Sequence, residues 1–167
     1  MTSFREMRFD DLFKINSLVF DAHTEVYSLT FFVKHFLEFP GLTQIAEAPG
    51  PVHRGMGYIF GYLDKHNKEP HGHVASLTVS DEYRRLGLAT ALMDYFFLIS
   101  DLKGASFVNL YMRSSNHAAY QLYCSLGYAH CRTMLDYYPD HPEPENAYEM
   151  RKYIPRSMEF ISDYTAN

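Results

Sequence analysis

The sequence predicts a single mixed α/β domain, one sheet of about seven strands covered by about four helices. Three observations carry this. The chain has 167 residues, the size of one domain, and a chain of that length buries about 68–70% of its unfolded surface. Hydrophobic residues make up 47% and aromatic residues 16%, with 14 Tyr and 13 Phe, so a packed core is expected and disorder is not. The apolar period switches between the strand and helix repeats, with no internal repeat and no linker.

The elements follow in order. Residues 2–9 read as the first strand. Asp10 or Asp11 can cap a helix reaching about residue 20, with Leu12, Ile15, Leu18 and Val19 on one face. "DAHTEVYS" is a polar loop. "LTFFVKHFLEF" is an aromatic-rich helix stopped by Pro40 and Gly41. "TQIAEA" and "GMGYIFGYLD" are strands joined by the breaker-rich turn "APGPVHRG". "HGHVASLTVS" is a strand whose alternation slips one step between Val74 and Leu77, the mark of a bulge. Between residues 86 and 103, Leu88, Leu92, Tyr95, Phe96 and Ile99 recur at helical spacing. "ASFVNLYM" is a strand, and "SSNHAAYQLYCSLGY" is a short helix with Ser114 or Ser115 as N-cap and Gly127 just past its end. "YAHCRTMLDYY" and "AYEMRKYI" are the last strands. The domain is expected over residues 1–155, with 156–167 a flexible or loosely docked tail.

A formal net charge of -5 counts against direct nucleic-acid binding, which calls for a basic face. No apolar run approaches the length of a membrane span, and "MTSFREMRFDDLF" has no signal-peptide core. Cys124 and Cys131 lack metal-ligand spacing and read as buried free thiols of a reducing compartment. Together these features point to the cytoplasm.

"YRRLGLAT", residues 83–90, links the strand ending at Ser80 to the helix that follows. Amides at a helix start are unpaired, carry partial positive charge and suit phosphate. Gly87 tolerates positive φ and close approach of a ligand, and Arg84 and Arg85 add forked cationic donors. The same residues also fit a plain strand–helix turn with solvent-facing arginines. A Walker A loop is excluded because Leu88 follows Gly87, and a Rossmann loop because there is one glycine and not three.

Other residues carry chemistry less distinctly. Asn116 and Tyr123 lie two turns apart on one helix face, where Tyr123 is either core or a phenol at a site. His71 and His73 share a strand face; no third ligand accompanies them, so metal is not expected. Glu25 and Tyr27 sit in a loop, and Tyr137 and Tyr138 point to opposite strand faces, so at most one faces a given cleft. Leu77, Thr78 and Val79 are ordinary strand residues whose interest is their backbone: a bulge leaves an N–H for an oxyanion.

"RRLGLA" resembles the Arg/Gln-x-x-Gly-x-Gly/Ala signature of the Gcn-related N-acetyltransferases (GNAT). "DDLF", "TEVY", "AEAPG", "HGHV", "YRRLGLA", "SNHAAYQLYCSLGY", "RTMLDYY" and "EPENAYEMRK" resemble, in order and spacing, the catalytic subunits of NatB-type N-terminal acetyltransferases, over roughly residues 2–153. The resemblance implies a mostly antiparallel GNAT sheet with a bulged central strand near 73–79, and acetyl-CoA as co-substrate with no metal. It implies cofactor contacts at Leu77, Thr78, Val79, Arg84, Arg85, Leu86, Gly87, Leu88, Ala89, Thr90, Asn116 and Tyr123. Tyr123 falls on the thiolate-side tyrosine. His73 falls on the histidine that meets the substrate's second side chain. Glu25 and Tyr27 fall on the methionine pocket, and Tyr137 and Tyr138 on the substrate mouth. Glu25, His73, Tyr123 and Tyr138 are the candidate catalytic residues. The implied substrates are nascent chains starting Met-Asp, Met-Glu, Met-Asn or Met-Gln, and the implied partner is an auxiliary subunit that docks at the ribosome. "LTFFVKHFLEF" is a candidate docking face, with core packing its alternative.

Acetyl transfer needs a deprotonated amine, a stabilised oxyanion and a proton for the leaving thiolate. A free α-amine has a pKa of about 7.7–8.0 and a lysine about 10.4, a difference of about 3 kcal/mol in deprotonation. An α-amine therefore needs only a mild base, and water can relay the proton. Acetylation of other N-termini or lysines, and a non-catalytic acetyl-CoA-binding module, remain alternatives.

Overall fold

The computed structural model describes residues 1–15, 28–51, 53–139 and 143–155. Seven strands form one sheet: β1 (Ser3–Glu6), β2 (Thr43–Glu47), β3 (Gly55–Asp64), β4 (His71–Val79), β5 (Phe107–Arg113), β6 (Ala129–Tyr138) and β7 (Glu145–Tyr153). Their spatial order is β1-β2-β3-β4-β5-β7-β6. Every neighbouring pair is antiparallel except β4 and β5, which are parallel. Among the described residues four α-helices accompany them: α1 (Asp11–Lys14), α2 (Leu29–Glu38), α3 (Leu88–Leu102) and α4 (His117–Ser125). The α3 segment is the crossover that parallel strands require.

Helices cover both faces of the sheet. Alternate residues of β3 divide between two cores, as the pleat dictates. Ile59 packs with Leu92, Met93 and Phe96 of α3 and Tyr123 of α4, whereas Tyr58 and Phe60 pack with Phe32 of α2 and Ile15. Ser28 caps α2 by accepting from the Phe31 N–H at 3.2 Å. Phe32 and His35 of α2 are buried, while Leu29 and Leu37 are exposed. The aromatic helix is thus mainly core, with one apolar edge left outside. Neither candidate aspartate caps α1 through its side chain. Asp10 makes no such bond, and the buried Asp11 carboxylate accepts from the Arg8 N–H and pairs with Arg5, which also grips Glu47 on β2. Burial of a carboxylate demands such partners, so Asp11 anchors the helix to the sheet edge. The expected extension of α1 over residues 16–20 lies outside the described residues.

Three further expectations are corrected. Cys124 and Cys131 are free thiols, but both are exposed and not buried, one on α4 and one on the edge strand β6. The N-cap of α4 is Asn116, not Ser114 or Ser115; its Oδ1 accepts from the Ala119 N–H at 3.1 Å. Tyr137 and Tyr138 do not obey strand alternation, as shown below. Among the described residues no helix is long and apolar enough to cross a membrane.

Candidate active site

The site begins where two strands part. β4 pairs with β5 from His71–Phe107 to Val74–Leu110; beyond that, β4 runs on to Val79 and β5 to Arg113 without pairing to each other. The parting coincides with the bulge expected from the sequence. Phe60 pairs with Ser76 but Gly61 with Val74, so Ala75 is the extra residue. Opposite it stands Gly61, where a Cβ would collide with the His73 carbonyl and the Phe96 ring. Past the bulge the amide directions are fixed by two bonds. The Ser80 N–H donates to the Met56 carbonyl at 2.9 Å, and the Val79 carbonyl accepts from Arg84 Nε at 3.4 Å. Ladder groups alternate in direction, so Thr78 and Ser80 face β3 while Leu77 and Val79 turn their backbone toward the gap.

A cleft of about 980 Å³ fills the gap. At one end lies the loop of residues 83–87. Gly87 is the N-cap of α3 with φ +78°, and no side chain caps the helix, so the first amides of this 15-residue helix open toward the cleft. Arg84 reaches Asp81 at 2.7 Å as well as the Val79 carbonyl, which folds its guanidinium along the rim of the cleft, although the side chain remains 51% exposed. Arg84, Arg85, Gly87, Leu88, Ala89 and Thr90 line the cleft; Leu86 does not, being 64% exposed on the outer side of the loop.

Asn116 and Tyr123 both line the cleft from α4. Capping occupies Asn116 Oδ1, which leaves its amide nitrogen as the donor it can offer a ligand. Tyr123 is only 8% exposed and packs edge-on to Tyr128 with centroids 6.1 Å apart. Burial pushes its phenol pKa up to about 12. A phenol so held keeps its proton at neutral pH and acts as a donor, not a base.

His73 stands at the other end, between the rings of Tyr62 on β3 and Tyr111 on β5, each with its centroid 5.0 Å away. Its Nδ1 lies 2.8 Å from Asn109 Oδ1, and Asn109 Nδ2 donates to Glu149 Oε1 at 2.9 Å. Glu149, wholly buried on β7, also accepts from Arg151 at 2.7 Å and from Arg132 at 2.5 Å. Burial alone would raise the Glu149 pKa, but donation from Arg151, Asn109 and Arg132 outweighs it and holds the carboxyl below its ordinary value. Burial holds the imidazole of His73 below its ordinary value, against the bond to Asn109. Among the described residues no group of three or more His, Cys, Asp or Glu is placed to hold a metal ion.

Tyr137 and Tyr138 both line the cleft, contrary to the alternation expected of a regular strand. Met134 pairs with Ala147 but Tyr138 with Glu145, so β6 carries two extra residues there. Asp136 takes a left-handed φ of +51°, and the two rings stand at 84° with centroids 5.0 Å apart. Arg113 lies over the Tyr138 ring at 4.2 Å, and Tyr137 meets Tyr111 at 5.3 Å. Glu25 and Tyr27 lie outside the described residues. Sequence reasoning missed Tyr111, Asn109, Glu149 and Arg113. The available signal was a lone polar residue inside an apolar strand run, Asn109 in "FVNLYM" and Glu149 in "AYEMRKY".

A parted pair of parallel strands, a bulge beside the parting and an anion-ready loop opening the crossover helix define an acetyl-CoA-type acyltransferase site. The chain belongs to the acetyltransferase (GNAT) family, whose model matches residues 19–128. Over 95% of its length it is similar to catalytic subunits of N-terminal acetyltransferase B complexes. It is 38% identical to the one named NAA20 in Arabidopsis thaliana and 35% identical to the one named naa20 in Schizosaccharomyces pombe, covering 89% and 88% of those chains. It also superimposes on the crystal structure of Chaetomium thermophilum Naa20 in complex with a bisubstrate analogue. The TM-score is 0.85 at 32% identity, over 95% of this chain and 90% of that one.

Proposed function

We propose that this chain is the catalytic subunit of a NatB-type N-terminal acetyltransferase, acting on nascent chains that begin Met-Asp, Met-Glu, Met-Asn or Met-Gln. The observation that carries this is the single cleft that joins the α3 loop to the His73–Tyr123–Tyr138 end along the outward-facing backbone of Leu77 and Val79.

The residues fit acetyl-CoA. Open amides at the start of α3, with Arg84 and Arg85, suit its phosphates. Where β4 has no partner strand, the Leu77 backbone and the Val79 N–H face the gap and offer an edge to its extended arm, the Val79 carbonyl being taken by Arg84, and Asn116 offers an amide donor. Acetyl-CoA supplies the activated acetyl group as a thioester. Tyr123 supplies a phenolic proton donor for the departing sulfur. An outward N–H of β4 supplies a donor for the developing oxyanion. The amine attacks directly; neither exposed cysteine lines the cleft, so no acyl-enzyme step is invoked.

His73 is assigned to the substrate's second side chain, Tyr137 and Tyr138 to its mouth, and Glu25 with Tyr27 to the methionine and first backbone unit. The similar chains are catalytic subunits of complexes, which supports an auxiliary subunit for this one; docking through it at the ribosome, in the cytoplasm, is part of the same proposal. Exposed Phe13, Leu29 and Leu37 on α1 and α2 support a docking face there.

The test is CoA release by the chain, alone and with its auxiliary partner, on a peptide panel. Met-Asp turnover well above Ser-Ser and above an acetylatable lysine peptide is expected. Equal rates on Met-Asp and Ser-Ser would replace the NatB assignment with a broader acetyltransferase. No turnover even with the partner present would favour a non-catalytic acetyl-CoA-binding module.

A further inference from the structure

The geometry points to Asn109 and Glu149 as positioning residues that hold the His73 proton on Nδ1, so that the enzyme must take up a proton to bind an acidic second residue but not an amide one. The inference rests on the reading that His73 meets the second side chain.

The chain of bonds leaves one consistent assignment. Arg151 and Arg132 both donate to Glu149, which keeps it ionised and therefore an acceptor only. The Asn109 group facing it at 2.9 Å must then be the NH₂. That turns the Asn109 oxygen toward His73 Nδ1 at 2.8 Å, and an oxygen requires the ring nitrogen to donate. A neutral imidazole with its proton on Nδ1 has a lone pair on Nε2. The ring is clasped between Tyr62 and Tyr111, and His73 lines the cleft, so Nε2 is the nitrogen available to a ligand there.

Such an Nε2 accepts from the NH₂ of Asn or Gln without any change of charge. An Asp or Glu carboxylate can only accept, so Nε2 must first be protonated. The groups around His73 permit that change. Asp64 on β3 and Glu149 on β7 favour the cation, and His71 on β4 opposes it. Burial raises the phenol pKa of Tyr62, which stays a neutral neighbour, and the Tyr111 ring packs on the other side. Burial keeps the empty site neutral, and an incoming carboxylate supplies the missing counter-charge. One pocket then serves both chemistries by changing protonation, not shape.

The experiment compares kcat/KM for a Met-Asp peptide and a Met-Asn peptide that are otherwise identical, from pH 6.5 to 8.5. Ionisation of the α-amine affects both equally and cancels in the ratio. The Asp/Asn ratio is expected to fall with rising pH, by up to about tenfold per unit for uptake of one proton. The Glu/Gln pair should follow it. In ¹⁵N-edited NMR of the ligand-free chain, His73 should show its proton on Nδ1. Asn109→Ala frees the ring to place its proton on Nε2, and the ratio should then become nearly independent of pH. A wild-type ratio constant within about twofold across the range, or a proton on Nε2 in the free wild-type chain, overturns the inference; neither needs the variant to fold. Loss of Met-Asp preference over Ser-Ser instead removes the substrate reading beneath it, so the two failures are distinct.

Discussion

The backbone N–H of Asp136 donates to the side-chain oxygen of Asn146 at 3.0 Å, across the irregular stretch where β6 gains two residues on β7. That bond supports the left-handed turn that brings two consecutive tyrosines to one cleft. The Asn146 carbonyl also accepts from the Ser114 N–H at 3.0 Å, just before the Asn116 cap. The side chain of one residue thus holds the turn that carries Tyr137 and Tyr138, and its backbone holds the entry to α4.

Asn146→Ala keeps the backbone bond and removes the side-chain one. A lost hydrogen bond of this kind costs about 1 kcal/mol, a fall of about 2–4 °C in Tm for a chain of this size. The larger effect is expected on substrate. Tyr137 and Tyr138 lose their aim, so KM for the peptide should rise severalfold while KM for acetyl-CoA stays within about twofold. Steady-state kinetics with each substrate varied in turn checks this. An equal rise in both constants would mean that the turn supports the whole cleft and not the mouth.

Tyr123→Phe removes a proton donor and keeps the ring. Acid–base groups contribute roughly 10²–10⁴-fold, so kcat should fall on the order of 10²-fold with acetyl-CoA binding little changed. Stability supplies an independent check with a definite sign. The folded pKa, about 12, is raised above the ordinary value of 10.0. The folded state therefore holds this proton more tightly than the unfolded state does. Its contribution, roughly 3 kcal/mol from two pKa units, is complete below pH 10 and lost as pH rises toward 12. Urea unfolding between pH 9 and 12 should show a shallower decline for Tyr123→Phe than for the wild type. Coincident curves would show that the hydroxyl is solvated.

Much of the fold is written in local pattern. The seven strands, the four helices, the bulge near Ala75 and the α3 loop all follow from period and breakers in adjacent residues, whereas the N-caps expected for α1 and α4 do not hold. Tyr137 and Tyr138 were misplaced because alternation presumes a regular ladder, and the partner that breaks the ladder, Asn146, lies beyond a turn of breakers. Composition favours buried thiols, but exposure is set by placement: Cys131 lies on β6, which is last in space but not in sequence, and Cys124 lies on an exposed position of α4. Asn109 and Glu149 come together only through the pairing of β5 with β7. Pairing of strands 40 residues apart is a property of topology, and no spacing rule within either segment contains it.

Gly61 and Gly87 are both glycines of the site and should fail differently. At Gly61 an added Cβ meets backbone, the His73 carbonyl, as well as the Phe96 ring, and neither can withdraw without opening the bulge. Overpacking of this kind costs about 3 kcal/mol, so Gly61→Ala should lower Tm by about 6–12 °C and reduce the yield of folded chain. Nothing stands within 4 Å of a Cβ built at Gly87, so Gly87→Ala suffers no collision and only the strain of φ +78°. That strain is about 1–2 kcal/mol, enough to shift the first turn of α3 and misdirect its open amides. Gly87→Ala should fold, lose only about 2–8 °C in Tm, and raise KM for acetyl-CoA by about tenfold, the equivalent of about 1.4 kcal/mol, while KM for the peptide changes little. Thermal melts and two-substrate kinetics on the same preparations separate the cases. Equal acetyl-CoA constants for Gly87→Ala and the wild type would remove the α3 amides from the binding site.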